Sequence, residues 1–372
     1  MPRPSQKTSI EPDRQATVFV LNLGSTSTQL ALFSREGELW REEVRHHPEE
    51  LPREVVKQMS LRWAAIEPHL EHIPPDTLLA VAGRGGPLKP LPGGTYVVNE
   101  AMIADLSSAS YANHASNLGA LLAREIAKRF DVPAYIVDPV TTDEFEPEAR
   151  ISGVPEIERR CRSHALNIKA VTRKAAAQLD RSLTETRFVV AHMGGGISVA
   201  ALRGGRIVDV NDALLGMGPF SPERAGALPL EGLLRLAFSG KYTFDSLAHK
   251  LSRESGLRGY LGTTDLAEVL QRIDAGDKLA AEVYRAMVYQ IAKEIGAMAA
   301  VLTPHNAGLE GRVDAVILTG GLARSERFCS DITSRVNFIA PVTTIAGSLE
   351  LEALALGVWR VIDGEEKAKE YE

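Results

Sequence analysis

Residues 187–210 have the sequence RFVVAHMGGGISVAALRGGRIVDV, which decides the fold of the second half of the chain. Three runs of apolar and β-branched residues are typical of strands: Phe188–Ala191, Ile197–Leu202 and Ile207–Val210. Glycine-rich turns separate them, at Gly194–Gly196 and at residues 203–206. The pattern predicts an antiparallel meander of three strands.

The same pattern occurs once before, at Val18–Leu21 and Leu30–Phe33, around the turn Gly24–Thr28 and with a third strand after residue 37. When Gly24 is aligned with Gly194, 170 residues later, Asn22 aligns with His192. Two copies of one domain explain a repeat this long and this distant, whereas a solenoid repeat is much shorter. The strand Leu78–Ala82 with its following glycines and the strand Ala315–Leu318 with Gly320 and Gly321 support the duplication more weakly.

The segments between the meanders have helical periodicity. The predicted helices are Glu49–Leu70, Asn113–Phe130, Pro155–Asp180, Leu279–Leu302 and Leu349–Ile362. In the third, Ile157, Cys161 and Leu179 are expected to face inward. A short strand, Ala134–Val137, delivers Asp138, and the charged residues 365–372 are expected to fray.

Composition excludes several classes of function. The 372 residues are 44% hydrophobic and 24% charged, enough for packed cores in about two domains of about 100–200 residues each. The net charge of −6 argues against nucleic-acid binding and against adhesion to anionic membranes. Two cysteines, Cys161 and Cys329, favour a reducing, cytoplasmic setting. The first sixteen residues lack the apolar run of a signal peptide, and no run reaches the about 18 residues of a membrane span.

Both meander turns are candidate phosphate sites. Small and hydroxylic residues at 24–28 offer backbone N–H groups and hydroxyls to anion oxygens, although ordinary hairpin turns use the same residues. Three consecutive glycines at 194–196 allow close approach of a ligand at an entropic cost that a purely structural loop has little reason to bear. His192 is as consistent with a structural hydrogen bond as with a ligand contact.

Other residues have two interpretations each. Arg84 and Arg224 lie in glycine-rich stretches suited to binding a carboxylate or phosphate, or are solvated loop residues. Asp138 and Asp143 are candidates to bind Mg²⁺ or to orient a nucleophile, and the alternative for Asp138 is that it caps a turn. Glu350 begins a helix, where the helix dipole favours an acid without any function. Walker, Rossmann, protein-kinase and zinc motifs are absent from the sequence.

Taken together, these motifs resemble the butyrate kinases of the acetokinase family from about residue 18 to residue 362. They are Asn22–Thr28, Gly83–Gly86, Pro92–Glu100, His114–Gly119, Val137–Pro139, Ala191–Gly196, Phe220–Gly226 and Thr319–Gly321. The stretches at Pro92, His114 and Phe220 separate butyrate kinases from acetate kinases. Branched-chain fatty acid kinases are equally similar.

The resemblance implies an α/β fold of duplicated ribonuclease-H-like, actin-like ATPase domains with an ATP cleft between them. It implies domains at 17–152 and 153–345, with a C-terminal helix, 346–372, packing on the first, and a disordered tail at 1–16. The second domain would bind the nucleotide, and a homo-oligomer is expected.

Site residues follow from the matched motifs. Arg84, Asp138, His192 and Arg224 would be catalytic. The residues expected to bind ATP are Asn22, Gly24, Ser25, Thr26, Ser27, Gly194, Gly195, Gly196, Gly320 and Gly321. Mg²⁺ would be linked to Asn22 and to Glu350, with Glu352 as the alternative. Gln29 departs from the family, where lysine is common.

The implied reaction is butyrate + ATP = butyryl phosphate + ADP by direct in-line transfer, with a short-chain fatty acid and its acyl phosphate as partners. Two other hypotheses stay open. One is a kinase for branched acids such as isobutyrate or isovalerate. The other is an ATP-gated clamp without a small acceptor, in which the two arginines would have no carboxylate to bind.

Overall fold

The computed structural model describes residues 15–303 and 312–372. Of the predicted disordered tail, residues 1–14 therefore lie outside the described residues. The strands are β1 Thr17–Leu23, β2 Ser27–Ser34, β3 Glu38–Arg45, β4 Leu78–Arg84, β5 Thr95–Val97, β6 Ala134–Val137, β7 Arg187–Met193, β8 Ile197–Arg203, β9 Arg206–Val210, β10 Ala315–Gly320 and β11 Val342–Ala346.

Helices connect and cover these strands. They are α1 Met59–Ile66, α2 Glu100–Ser107, α3 Asn117–Phe130, α4 Pro147–Arg150, α5 Ala165–Gln178, α6 Leu230–Ala237, α7 Phe244–Arg253, α8 Gly256–Leu261, α9 Leu266–Asp274, α10 Lys278–Leu302, α11 Glu326–Val336 and α12 Glu350–Ile362. In the described ranges no helix is both long and apolar enough to cross a bilayer.

Contacts divide the chain into two compact units. The first contains the described residues up to Pro87, then Gly94–Val137 and Leu354–Glu372, and the second contains Leu88–Gly93 and Asp138–Ala353. The domain limits predicted from the sequence, after residues 152 and 345, stay predictions.

The first unit is built on a sheet with the strand order β3-β2-β1-β4-β6-β5. The antiparallel meander β1–β3 comes first, and β4 and β6 then add parallel strands. All seven residues of β1 are buried, as is typical of a central strand covered on both faces. By contrast, β3 is mostly exposed and charged, which protects a sheet edge from further pairing.

The second unit repeats this topology with the order β9-β8-β7-β10-β11. Its meander is antiparallel, and β10 and β11 are parallel additions, as β4 and β6 are in the first sheet. Val189 and Val190, adjacent in β7, belong to the two cores on opposite faces of the sheet. The predicted duplicated α/β architecture is thus confirmed.

Three predicted helices are wrong at their ends. The helix predicted from Asn113 begins at Asn117. Residues 49–70 form an α-helix only at Met59–Ile66, with short 3₁₀ segments on both sides. Residues 155–164 are not helical, and Ile157 is exposed, whereas Cys161 is buried as expected. Leu179, expected to face inward, follows the last residue of α5 and is exposed.

The C-terminal residues are also ordered, contrary to the expected fraying. The backbone of Lys369 exchanges hydrogen bonds with Thr95 and Val97, and the Tyr371 hydroxyl donates to Asp105 Oδ2 at 2.6 Å. Tyr371 is buried. The backbone hydrogen bonds to the edge strand β5 explain this order, because they give the N–H and carbonyl groups of Lys369 partners within the fold.

Candidate active site

In the first unit, the turn between β1 and β2 carries the first predicted phosphate loop, Gly24–Ser27. The Gly24 N–H donates to the Ser27 carbonyl at 2.9 Å, which closes the turn. Ser25 and Thr26 at its tip are exposed. The predicted small, hydroxylic turn is therefore accessible to an anion.

Asn22 and Arg84 lie together beside this loop. Arg84 Nη1 donates to Asn22 Oδ1 at 3.2 Å, and Asn22 Nδ2 donates to Gln29 Oε1 at the same distance. Arg84 is the last residue of β4 and not a loop residue as predicted. Two of the sequence-predicted site residues are thus adjacent within one unit.

The glycines around Arg84 are explained by helix packing. A Cβ on Gly83 would lie 2.1 Å from the Gly119 carbonyl oxygen, and a Cβ on Gly119 would lie 2.1 Å from the Arg84 carbonyl oxygen. Only glycine at both positions allows α3 to approach β4 this closely. The close packing holds the backbone of Arg84 rigidly at the end of its strand.

Asp138, in the second unit, is nearly inaccessible, at 2% exposure, and lies in a buried charge cluster. Arg173 Nη1 lies 3.4 Å from Asp138 Oδ2, and Lys169 Nζ lies 3.9 Å from Asp138 Oδ1. Lys169 also contacts both oxygens of Glu144 at 2.9 Å. Two cations and two anions compensate one another here, as buried charges require.

Asp143, the other acid considered near this strand, forms a bidentate pair with Arg150 at 2.7 Å on each side. It also accepts a hydrogen bond from the Phe145 N–H at 3.1 Å. These contacts give it a structural role.

The side chain of His192 lies in a buried hydrogen-bond network in the second unit. Asn167 Nδ2 donates to His192 Nδ1 at 2.8 Å, while Asn167 Oδ1 accepts from the Leu349 N–H at 2.8 Å. The backbone donor fixes the orientation of the amide, so the amide nitrogen must face His192. A neutral His192 therefore accepts at Nδ1 and carries its proton on Nε2.

A second histidine supports the first. The rings of His164 and His192 stack with centroids 4.0 Å apart and planes 12° apart. His164 Nδ1 is 2.9 Å from Ser198 Oγ. A Cβ on Gly194 would lie 3.5 Å from His192 Nε2, which places that N–H donor beside the glycine loop.

The glycine loop at residues 194–196 is joined to the Arg224 segment. Ser221 Oγ donates to the Gly195 carbonyl at 2.6 Å and accepts from the Arg224 N–H at 3.1 Å. The Arg224 guanidinium also donates to the Ala213 carbonyl. Burial and, to a lesser extent, the charge of Arg253 lower the pKa of Arg224, with Glu223 and Asp212 acting in the opposite direction.

Arg224 borders a small surface depression within the second unit. Its lining combines the apolar side chains of Ile197, Leu214, Met217 and Pro219 with the polar side chains of Asn211, Asp212 and Ser221. A cation beside short apolar side chains is suited to a small amphiphilic anion, in which a carboxylate continues into an alkyl chain.

Gly320 and Gly321, at the end of β10, differ from each other. Gly320 has a φ of 93°, and a Cβ there would lie 2.4 Å from the Met193 carbonyl oxygen, so its backbone abuts the end of β7. Around Gly321 nothing lies within 4 Å of a Cβ. Gly321 is exposed, and the nucleoside contact expected at this glycine pair stays a prediction.

Oxygen atoms suitable for Mg²⁺ are few. Glu350 and Glu352 lie in the first turn of α12, both half-buried. In the described residues, no three His, Cys, Asp or Glu side chains form a group that could hold a metal ion. Mg²⁺ commonly takes only one or two protein oxygens together with phosphate oxygens, so these residues fit an ion that arrives with a nucleotide.

Several residues of the site carried no sequence signal. His164 and Asn167 lie inside a predicted amphipathic helix, Pro155–Asp180, where nothing in the pattern distinguishes them. Ser221 could have been found, because it belongs to the Phe220–Gly226 motif.

Both cysteines are buried free thiols, and burial raises their pKa values.

Comparison with known proteins identifies the class. Residues 156–339 match the acetokinase family. The fold is similar to that of acetate kinase from Porphyromonas gingivalis, with a TM-score of 0.74 at 19% identity over 93% of this chain and 100% of that one. A propionate kinase from Francisella tularensis gives 0.68 at 18% identity, covering 92% and 98%.

The chain belongs to the acetokinase family. Relatives named probable butyrate kinase are similar over 95% of this chain and 99% of their own lengths. They include one from Clostridium botulinum at 46% identity and one from Listeria monocytogenes at 48% identity.

Proposed function

We propose that this protein transfers the γ-phosphoryl group of ATP to the carboxylate of a short-chain fatty acid, butyrate, to give butyryl phosphate and ADP. Membership of its family identifies the chain as a kinase that phosphorylates a carboxylate. The acceptor, the mechanism and the site residues are the proposal. The observation that carries it is Arg224 beside an apolar depression, since that pairing matches a carboxylate with a short alkyl tail.

The reaction needs little proton chemistry. A carboxylate oxygen attacks the γ-phosphorus as the bond to the β–γ bridging oxygen breaks, and the electron pair leaves with ADP. Because the carboxylate is already ionised at pH 7, no strong general base is required. The site must position the reactants and neutralise charge on the equatorial oxygens of the moving phosphoryl group.

Each proposed residue has a part in this task. Arg84 and Arg224 bind the carboxylate and the phosphoryl group, and His192 donates its Nε2 proton in a hydrogen bond to a phosphoryl oxygen. The loops Gly24–Ser27 and Gly194–Gly196 bind phosphates, with Asn22 beside the first, and Gly320 and Gly321 border the adenosine.

Asp138, held by Lys169 and Arg173 within the second unit, is the acid that the matched motif assigns to the surroundings of the metal and the nucleophile. Mg²⁺, bound with the nucleotide and linked to the Asn22 amide oxygen and to Glu350, with Glu352 as the alternative acid, would neutralise phosphate charge. Asn22 Oδ1 already accepts from Arg84, so an ion there would need its second lone pair.

A hydroxylamine trap tests the activity. Mixing the protein with ATP, Mg²⁺, hydroxylamine and butyrate should produce an acyl hydroxamate and ADP in equal amounts. Parallel reactions with acetate, propionate, isobutyrate, isovalerate and valerate define the preferred acid. Higher kcat/KM for the branched acids would reassign the substrate, and ATP hydrolysis indifferent to every acid would support the clamp instead.

A further inference from the structure

Arg62 lies directly beneath the first loop. It is completely buried in α1, at 0% exposure. Its Nη2 donates to the carbonyls of Gly24 and Ser25 at 2.9 and 3.0 Å, and its Nη1 donates to the Ser27 carbonyl and to Thr28 Oγ1 at 3.0 Å. One side chain thus binds almost the whole turn.

The charge of Arg62 is unusual. Its Nε donates to Gln58 Oε1 at 3.0 Å, so its partners are neutral oxygens. Among residues 15–303 and 312–372, no carboxylate forms an ion pair with it, and burial lowers its pKa. A buried guanidinium stays charged, and without a counter-ion it destabilises the fold. We therefore expect Arg62 to have a role that offsets this loss of stability.

The hydrogen bonds to Arg62 also orient the peptide groups of the loop. In a trans peptide the N–H points opposite to the carbonyl of the preceding residue. Since the carbonyls of Gly24 and Ser25 point inward to Arg62, the N–H groups of Ser25 and Thr26 point outward. The Thr26 carbonyl is held in turn by the His46 N–H at 2.9 Å. Successive outward N–H groups form a concave site for an anion.

We propose that Arg62 is a positioning residue for the nucleotide phosphates. It holds the loop with its N–H donors facing the ligand and adds a positive charge from behind. The proposal rests on the proposed function, because the anion is the polyphosphate of ATP. The alternative is that Arg62 only joins the β1–β2 turn to α1 and contributes stability.

Matched variants separate the two roles. Arg62→Lys keeps the charge but cannot reach all five acceptors, and Arg62→Met removes both charge and donors. Ile66→Ala, one turn along α1 and also at 0% exposure, creates a cavity in the same core without touching the loop. For each variant we would measure thermal stability, the Kd of ATP by calorimetry, and KM for ATP and for butyrate separately.

The positioning role predicts that Arg62→Lys raises the Kd and the KM of ATP about tenfold or more, with Arg62→Met worse. KM for butyrate should change less than twofold. Ile66→Ala should lower the melting temperature while leaving the Kd of ATP unchanged. Equal ATP affinity in Arg62→Lys and the unmodified protein, or an equal loss in Ile66→Ala, would overturn the proposal.

A measurement on the unmodified protein covers the case in which the Arg62 variants do not fold. Inorganic pyrophosphate, added during an NMR titration, should shift the amide signals of Ser25 and Thr26 more than others in the first unit. Unchanged signals at saturating pyrophosphate contradict the proposal. A failed hydroxamate assay combined with these amide shifts would reject the proposed substrate and leave the role of Arg62 intact.

Discussion

The guanidinium of Arg224 occupies the space that any side chain at residue 196 would need. A Cβ built on Gly196 would lie 2.2 Å from Arg224 Nη1 and 2.6 Å from its Cζ. A side chain at residue 196 would therefore have to displace the guanidinium. This contact fixes the distance between a proposed phosphate loop and a proposed substrate-binding cation within one unit.

Gly196→Ala should displace the Arg224 side chain and lower kcat by a factor on the order of 10²–10³, which is the loss expected when one transition-state donor is removed. Steady-state kinetics with ATP and butyrate would measure it. Gly232→Ala is the matched control, since it lies in α6 with nothing within 4 Å of a Cβ and should leave kcat unchanged. Similar kcat values for the two variants would contradict the role of Arg224.

The hydrogen bond from Asn167 predicts a defined tautomer of His192. In ¹⁵N NMR spectra, the neutral ring should carry its proton on Nε2. Asn167→Asp replaces the donor with an acceptor, which draws the proton to Nδ1 and removes the Nε2 donor, so kcat should fall at least about tenfold. Thr319→Val removes the 3.2 Å bond from Asn167 to Thr319 Oγ1 and the 3.3 Å bond from Thr319 Oγ1 to the Gly347 carbonyl, but it keeps the bond from Asn167 to His192 and should have the smaller effect. Retention of the Nε2 proton in Asn167→Asp would disprove this account.

The sequence predicted the parts of the fold with strong local patterns. Both meanders were recognised because buried strands are continuous apolar runs interrupted by glycine turns, and their 170-residue offset revealed the duplication. The predicted helix was wrong near Pro155, because apolar side chains at helical spacing also occur in non-helical segments. In this segment Ile157 is exposed and Cys161 is buried. Arg62 gave no signal because a buried guanidinium depends on carbonyls from a distant turn.

Order at the C-terminus gives a stability prediction. Tyr371→Phe removes the 2.6 Å hydrogen bond to Asp105 and should cost about 1 kcal/mol. Deletion of residues 368–372 also removes the backbone bonds to β5 and should cost more. Differential scanning calorimetry would report both effects as lower melting temperatures, with the deletion lower. Equal melting temperatures for the deletion variant and the unmodified protein would support the expectation of a frayed tail.

The apolar depression beside Arg224 predicts how chain length is selected. Met217 is 47% exposed in a loop, so Met217→Ala should fold normally while removing part of the wall. Because one methylene in an apolar pocket contributes about 1–3 kcal/mol, kcat/KM for butyrate should fall about tenfold, with a smaller change for acetate. Leu230→Ala, 75% exposed and outside the depression, is the control. Parallel losses for butyrate and acetate would place the alkyl chain elsewhere.

His46 links the first loop to pH. Its Nε2 is 2.9 Å from Thr28 Oγ1, which also accepts from Arg62, so the threonine proton is left to donate to a neutral imidazole. Burial, and next the charge of Arg62, lower the pKa of His46, with Glu50 opposing. At this residue the unfolded chain therefore binds a proton at higher pH than the folded one, and the contribution of His46 to the stability of the fold decreases as pH falls below about 6.5. His46→Gln keeps a polar side chain without titrating in this range. Melting temperatures measured from pH 7.5 to 5 should fall less steeply in this variant than in the unmodified protein, and identical slopes would show that His46 does not carry the effect.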